Sequence, residues 1–341
     1  MKRQEIGRRY FPKGMPRLWC PLISHYQRDG SFDQGRTEAH IAHLRRYVSA
    51  FLAPGSTGDG WEMDKGRRSD LIEMLKKTIE AANGRLLVGV LETELGAAAR
   101  EVRSLAERYD FEEDPCLCGV TVTAPKGAEL DQEVIAAELA EVLEQEIPTA
   151  LYQLPQITEN EIQPETTVRL AAEFPNFYLF KDTSGEDAVA MSDGVPEDVF
   201  LLRGAEGDYL SWYRAAGGPY DGFLLSTANG FAPQLSRIIE LSEQAEREPE
   251  DRAALKEAKE LSALLSRVVQ DCFATVQDLP FGNPFANANK AVDHWMAFGP
   301  GAMKKSLPYT CSGYQIPKEV IDRVGTLLSD AALLPSRSYL D

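Results

Sequence analysis

The feature that most constrains the fold is an alternation of short apolar runs with amphipathic helical stretches, from about residue 18 to residue 235. There are eight runs: LWCPLI, FLAPG, RLLVGV, GVTVT, TALYQL, FYLFKD, VFLLRG and DGFLLS. Continuous apolar runs are typical of parallel strands that are buried on both faces. We therefore predict an α/β protein with a closed (β/α)8 TIM barrel. An open, doubly wound sheet is the alternative, because a count of strands does not prove closure.

The chain carries no Gly/Ser linker or change of composition that would mark a second domain. We predict one domain over residues 1–341, with a solvated basic N-terminal arm at 1–14 and a barrel core at 15–235. The stretch 236–341 should hold the last barrel helix and a helical extension, because its charged and apolar residues alternate with helical period.

The formal net charge of −17 argues against binding to nucleic acid or to an anionic membrane, since both need clustered positive charge. No stretch approaches the roughly 18 apolar residues that would span a bilayer. The five cysteines are odd in number and scattered, which is typical of reduced thiols in a cytoplasmic protein.

One apolar run, FYLFKD, ends on Lys181, although lysine is the side chain least willing to lose its water. A strand-end lysine often extends its amine to solvent or forms a salt bridge. The other interpretation is an amine held in a dry pocket. An apolar surround favours the neutral amine, which can form a Schiff base with a ketone.

Two other strand ends carry polar groups, and the active sites of barrels lie at the carboxyl ends of their strands. In APGSTGDG, Ser56 and Thr57 offer two hydroxyls and two adjacent backbone N–H groups, which suit a carboxylate or phosphate. An ordinary Gly-Ser-Thr turn is the alternative. In LYQLP, Tyr152 could exchange protons near neutral pH only beside a cation.

The segments GSTGD, LYQLP and FKDTSGE together resemble the dihydrodipicolinate synthase/N-acetylneuraminate lyase family, whose members are class I aldolases on a (β/α)8 barrel. Further segments agree in order and spacing over nearly the whole chain: DGSFDQ, LLRGAEGDYL, STANG and NPFANANKAV.

The resemblance implies that Lys181 forms the Schiff base and that Tyr152 moves protons near the substrate. Ser56 and Thr57 would hold the carboxylate of pyruvate or a longer 2-oxo acid. A protonated imine on Lys181 is an electron sink, through which a carbon–carbon bond breaks or forms. No cofactor beyond this covalent imine is expected. The partners implied are a small-molecule 2-oxo acid and an aldehyde, in a homo-oligomer that is a dimer or tetramer.

The sequence departs from the synthases of this family at two places. Ile157 stands where they usually carry an arginine that binds the second substrate. Pro125, Lys126 and Gly127 stand where they usually carry an aromatic pair, one of which crosses to a neighbouring subunit. Both departures argue against 4-hydroxy-tetrahydrodipicolinate synthase activity in lysine biosynthesis.

Further substrate-binding candidates are Asp59, Lys126, Thr183, Arg203, Gly204, Glu206 and Ser226. Thr183, Ser226 and Thr227 favour the lyase side of the family, and Asp59 replaces its usual glutamate. We expect Arg203 or Lys126 to supply positive charge to an acidic substrate tail. The alternative for Arg203 is an ion pair with Glu206 or Asp208.

The leading hypothesis is a lyase of the class I aldolase type, acting on pyruvate or a longer 2-oxo acid of the 2-keto-3-deoxy acid kind. The alternatives are an acid-sugar dehydratase, the synthase of lysine biosynthesis, and a catalytically impaired homologue that binds a metabolite. No metal is expected, because His40 and His43 share helical spacing but have no acidic or cysteine partners nearby in sequence.

Overall fold

The structure, a computed structural model that describes residues 1–340, contains eight parallel strands in a closed barrel. Each strand pairs with the next, and β8 pairs with β1. The strands are β1 (Leu18–Pro21), β2 (Ala50–Ala53), β3 (Arg85–Val90), β4 (Leu117–Thr123), β5 (Thr149–Gln153), β6 (Phe177–Asp182), β7 (Phe200–Arg203) and β8 (Gly222–Leu224). The predicted barrel is confirmed, and each strand lies within or beside its apolar run.

Helices surround the barrel and continue beyond it. They are α1 (Arg3–Tyr10), α2 (Gln34–Leu44), α3 (Lys65–Ala81), α4 (Ala97–Arg108), α5 (Gln132–Leu143), α6 (Pro155–Thr158), α7 (Pro164–Glu173), α8 (Tyr209–Trp212), α9 (Ala228–Arg247), α10 (Arg252–Ala274), α11 (Pro284–Phe298) and α12 (Lys318–Asp330). Four of the long helices start at an aspartate whose side chain accepts a backbone N–H of the first turn. Such caps satisfy N–H groups that the helix itself cannot pair.

The N-terminal segment corrects one expectation. Residues 3–10 form α1, and the segment is not solvated: Ile6 and Tyr10 of the helix, and Phe11 directly after it, are buried with Trp19 and other strand residues of the barrel. The many basic residues of this segment suggested exposure to solvent, but they are interspersed with the apolar residues that are buried. Arg3 even donates a hydrogen bond to the carbonyl of Phe177, at 2.8 Å. The amino end of the barrel is therefore closed by an apolar plug.

The helical extension is confirmed, and it contributes to the carboxyl end of the barrel. The C-terminal end of α10 and the start of α11 bring Phe273 and residues 282–285 to the mouth of the cavity described below. Among residues 1–340, no helix combines the length and the apolar character that crossing a membrane requires.

Candidate active site

A cavity of about 530 Å³ opens at the carboxyl ends of the strands. Its volume lies within the range of about 300–1,000 Å³ that is usual for small-molecule sites. Its walls include the four residues to which the sequence assigns chemistry, namely Ser56, Thr57, Tyr152 and Lys181. They also include four of the further candidates, namely Thr183, Gly204, Glu206 and Ser226. The barrel thus brings together residues that lie up to 170 positions apart, since Ser56 and Ser226 share one cavity.

Lys181 and Tyr152 lie side by side because β5 and β6 pair in a register that matches these two residues. Both side chains are buried, with 5% of their surface exposed. The Lys181 amine lies 3.9 Å from the centre of the Tyr152 ring, within the range of a cation–π contact. Within residues 1–340, Lys181 forms no ion pair with a carboxylate. The lysine is therefore buried at the cavity wall, and no acidic side chain of residues 1–340 pairs with its amine.

Gly204 makes room for the lysine. A Cβ atom at this position would lie 3.0 Å from Cε of Lys181 and 2.4 Å from Cγ2 of Thr183. The second distance is far shorter than a van der Waals contact, so any larger residue would displace one of these side chains. The backbone N–H of Gly204 donates to the carbonyl of Asp182, which holds the end of β7 against β6.

Ser56 and Thr57 begin a single helical turn directly after β2. Trp61 Nε1 donates to Ser56 Oγ at 2.9 Å, which leaves the serine O–H available to donate in turn. The side-chain amide of Asn283 donates to the carbonyl of Ser56, also at 2.9 Å, and fixes the turn from the side of α11. The arrangement leaves the Ser56 hydroxyl at the cavity wall with its O–H free to donate, which suits an anionic oxygen of a ligand.

Asp59 does not line the cavity. It adopts a left-handed backbone conformation at the end of the Ser56–Gly58 turn, and its carboxylate accepts a hydrogen bond from the Lys290 amine. Both side chains are at most 1% exposed. Asp59 is thus placed to hold the turn against α11, whereas the sequence suggested a substrate ligand. The signal for its partner was present in NPFANANKAV, which contains Lys290.

Glu206 lines the cavity, and its carboxylate accepts four hydrogen bonds. They come from Ser226 Oγ, the backbone N–H and Oγ1 of Thr227, and the Tyr209 hydroxyl, at 2.6–3.1 Å. Burial raises the pKa of Glu206, although the hydrogen bonds from Thr227 and Ser226 oppose that rise. The hydroxyls of Ser226 and Thr227, which the sequence offered to the substrate, donate to this carboxylate instead.

Arg203 lies outside the cavity. It forms an ion pair with Asp187, with two nitrogen–oxygen distances of 3.2 Å, and both side chains are buried. The strand register explains this placement, because Arg203 pairs with Asp182 while Lys181 pairs with Leu202. Partners in a sheet share a face, so Arg203 points away from the face that carries Lys181. The sequence offered Glu206 or Asp208 as ion-pair partners of Arg203, but the partner is Asp187.

Lys126 is also absent from the cavity wall. Its amine lies 3.0 Å from a carboxylate oxygen of Glu159, and half of its side chain is exposed. Neither cation proposed for an acidic substrate tail therefore faces the cavity. Thr183 does line the cavity, but its hydroxyl donates to the carbonyl of Gln153 at 2.6 Å.

Several cavity residues were not among the site residues predicted from the sequence. Trp61 and Glu62 follow the Ser56–Gly58 turn, Ile157 lies in α6, and Phe273 and Phe285 come from the helical extension. The two phenylalanines stack edge to face, with ring centres 5.4 Å apart. The sequence had drawn attention to Ile157 through the arginine that it replaces, and to Trp61 because it follows the Gly-rich turn.

The histidines form a separate polar cluster. His25 and His40 are hydrogen-bonded through their rings at 3.2 Å, and Asp293 accepts hydrogen bonds from Arg36 and the Tyr339 hydroxyl. Burial lowers the pKa values of both histidines, which favours their neutral forms. In the described chain, residues 1–340, no group of three or more His, Cys, Asp or Glu side chains is placed to hold a metal ion.

Comparison with known proteins identifies the family. The sequence model of the Dihydrodipicolinate synthetase family matches residues 15–280, which is most of the chain. The chain belongs to this family. Enzymes of the family are lyases and synthases of the aldolase type. The matched region begins just after the apolar plug formed by α1 and includes Ser56, Tyr152 and Lys181.

Curated relatives in the family are about a quarter identical to this chain over the aligned residues. A 4-hydroxy-tetrahydrodipicolinate synthase from Saccharophagus degradans is 27% identical over 270 residues, which cover 76% of this chain and 84% of the relative. One from Cellvibrio japonicus is 26% identical over 205 residues, 59% of this chain and 66% of the relative.

Solved structures of the dihydrodipicolinate synthetase family share the fold. A prophage protein from Escherichia coli K12, solved in complex with pyruvate, gives a TM-score of 0.73 at 18% identity, covering 93% of this chain and 98% of its own. A monomeric dihydrodipicolinate synthase variant gives a TM-score of 0.70 at 18% identity, covering 94% and 98%. Its description as monomeric means that oligomerisation is not a fixed property of the fold.

Proposed function

We propose that this protein is a Schiff-base-forming lyase of the class I aldolase type, which acts on pyruvate or a longer 2-oxo acid. The observation that carries the proposal is the Lys181 amine, buried at the wall of the cavity beside Tyr152 and paired with no carboxylate of residues 1–340. Family membership supports the same chemistry, and no cofactor beyond the lysine imine is part of the proposal.

The reaction begins when the 2-oxo acid enters with its carboxylate at Ser56 and Thr57. The Lys181 nitrogen attacks the ketone carbon, and loss of one water molecule leaves an iminium ion. Loss of a proton from the neighbouring carbon then gives an enamine, since the iminium accepts the electron pair. Tyr152, in contact with the lysine, is placed to pass protons between these groups.

The relatives named 4-hydroxy-tetrahydrodipicolinate synthase do not settle the second substrate. At the position where the resemblance places an arginine, Ile157 lines the cavity, so an acidic second substrate has no cation there. We therefore do not propose that this chain is a 4-hydroxy-tetrahydrodipicolinate synthase of lysine biosynthesis. We also propose that the protein forms a homo-oligomer, as members of the family often do. We propose a cytoplasmic location, because five free, buried cysteines suit a reducing compartment.

The experiment that tests the proposal needs no second substrate. An enamine takes deuterium from D2O, so the wild-type protein should exchange the methyl hydrogens of pyruvate, as followed by proton NMR. Tyr152→Phe should slow the exchange by about 10²- to 10⁴-fold, the usual contribution of a positioned acid–base group. Absence of exchange with both pyruvate and 2-oxobutyrate would refute the imine mechanism.

A further inference from the structure

The cavity is much larger than the three-carbon acid that Lys181 would hold. Beyond Lys181 and the Ser56 turn, the cavity wall includes four large apolar side chains, Trp61, Ile157, Phe273 and Phe285. We call these four residues the apolar wall. They come from four separate segments, and Phe285 is 45% exposed although it is a large apolar side chain. An apolar ligand against this wall would remove apolar surface from water, which favours binding.

The charges around the cavity exclude an acidic ligand from this outer space. Lys181 is the one cationic side chain among the cavity residues that the structure describes, and it is consumed as the imine. Arg203 and Lys126 are paired elsewhere, with Asp187 and Glu159. The two carboxyl groups of the cavity belong to Glu62 and Glu206, and neither can offer positive charge in any protonation state.

Three polar side chains of the cavity, Asn283, Gln156 and Ser226, are already engaged within the protein. The amide of Asn283 donates to Ser56 and accepts from the backbone of Ala286. The side-chain amide of Gln156 donates to the carbonyl of Thr183, and the Ser226 hydroxyl donates to Glu206. A polyhydroxylated ligand would lose its hydrogen bonds to water and find few donors in return, which is unfavourable.

From these three observations we infer that the apolar wall binds the second reactant, an uncharged aldehyde with an apolar body such as an aryl group. The inference rests on the proposed imine chemistry at Lys181. It replaces the expectation of an acidic tail, and it disfavours acid sugars as substrates.

The step balances as an aldol addition. The electron pair of the enamine C=C forms a bond from the pyruvate methyl carbon to the aldehyde carbon. The aldehyde oxygen takes the displaced π pair and a proton, which Tyr152 is placed to donate. One water molecule then hydrolyses the iminium and returns the Lys181 amine with a 4-hydroxy-2-oxo acid. Cleavage is the same sequence reversed.

The test compares three aldehydes with pyruvate held at saturation: benzaldehyde, succinic semialdehyde and glyceraldehyde. Product formation is measured by mass spectrometry, and kcat/KM is obtained for each aldehyde. Wild-type protein should prefer benzaldehyde to both others by about 100-fold, because the others lose hydrogen bonds to water that the wall does not replace. A preference for either of the others, or turnover of none, would overturn the inference.

Ile157→Arg places a cation in the wall, and Ile157→Leu is the matched control that keeps it apolar. The arginine variant should shift the ratio of kcat/KM values toward succinic semialdehyde by at least about tenfold, while the leucine variant leaves the ratio unchanged. An unchanged ratio in Ile157→Arg would contradict the placement of the aldehyde at this wall.

Methyl exchange of pyruvate, measured on the same samples, separates the two proposals. Exchange without the expected aldehyde preference overturns only the inference about the wall. Absence of exchange overturns the imine chemistry itself.

Discussion

Two buried lysines, Lys290 and Lys181, show how the surroundings decide what an amine can do. Lys290 donates to the Asp59 carboxylate, and both side chains are almost fully buried. Lys181 is buried to a similar extent, but it lies against the face of Tyr152 and has no ion-pair partner within residues 1–340. The amine of Lys290 is paired with a carboxylate and stabilises the fold. The amine of Lys181 lies at the wall of a cavity, where the proposed chemistry requires it to attack a ketone.

The difference follows from strand register rather than from sequence neighbours. Asp182 directly follows Lys181, yet successive residues of a strand point to opposite faces, so this carboxylate lies on the far side of β6. There it accepts hydrogen bonds from the backbone and hydroxyl of Ser184. A buried lysine next to an aspartate in sequence is therefore not next to it in space.

Replacing Lys181 should have the largest effect on chemistry and little effect on the fold. In Lys181→Met, methyl exchange of pyruvate should fall by at least about 10³-fold, because no nitrogen remains to form the imine. Stability should be unchanged or higher, since a buried amine without a counter-ion is replaced by an apolar side chain of similar length. Urea denaturation and NMR exchange check both halves. A strongly destabilised Lys181→Met protein would mean that the lysine has a structural role.

Breaking the other pair should have the opposite pattern. Asp59→Asn keeps a side chain that tolerates the left-handed backbone at this position but leaves Lys290 without an anion. The free energy of unfolding should fall by about 3–5 kcal/mol, as expected for a buried pair that loses one partner.

The double variant Asp59→Asn with Lys290→Met provides the control for this pair. It leaves no unpaired charge and should recover much of the lost stability in urea denaturation. If the double variant were less stable than Asp59→Asn alone, the cost would lie in packing and not in the uncompensated lysine.

Gly204→Ala tests whether the space around Lys181 matters. The added methyl group would press on Thr183 and on the Lys181 side chain, so the amine should move from its place beside Tyr152. We expect methyl exchange to slow by about tenfold or more, with a loss of stability of about 1–3 kcal/mol. Gly301→Ala, at a position with open space around it and no left-handed backbone, is the comparison that shows whether any glycine-to-alanine change has this effect. Equal exchange rates in both variants would argue against the steric role of Gly204.

The smallest effect concerns Asp182. Burial raises its pKa above the ordinary value, so the folded protein binds more protons than the unfolded chain between about pH 4 and the raised pKa. In that window this carboxyl makes the protein less stable as pH rises. Asp182→Asn removes this loss of stability. Between pH 4.5 and pH 7, any fall in the urea midpoint should therefore be smaller for the variant than for the wild type.

Methyl exchange of pyruvate in Asp182→Asn should stay within about threefold of the wild type, because the side chain points away from the cavity. A large loss of exchange would mean that Asp182 acts on Lys181 after all.

Much of this picture could be predicted from the sequence because its signals are local. Eight apolar runs indicated the barrel, and residues at their ends, such as Lys181 and Tyr152, converge since parallel strands meet at one edge. The face of the sheet to which a strand-end side chain points is harder to predict, because it depends on how the strands pair. Arg203 was expected in the cavity, and only the pairing of Lys181 with Leu202 shows that it faces outward.

The remaining site residues depend on long-range packing. Phe273 and Phe285 reach the cavity from the helical extension, where nothing in their helical pattern distinguishes them from packing residues. The plug formed by α1 was hidden for a related reason. The N-terminal segment has three buried apolar residues, Ile6, Tyr10 and Phe11, and more numerous basic residues. Its composition therefore suggested a solvated arm.

The most direct test of the central claim is to trap the imine and locate it. Wild-type protein would be incubated with pyruvate and sodium borohydride, weighed intact by mass spectrometry, and then mapped by peptide digestion. We expect one reduced adduct, on Lys181, with Lys290 unmodified and no adduct in Lys181→Met. An adduct on Lys290 or on exposed lysines alone, or none with pyruvate and 2-oxobutyrate, would contradict this expectation.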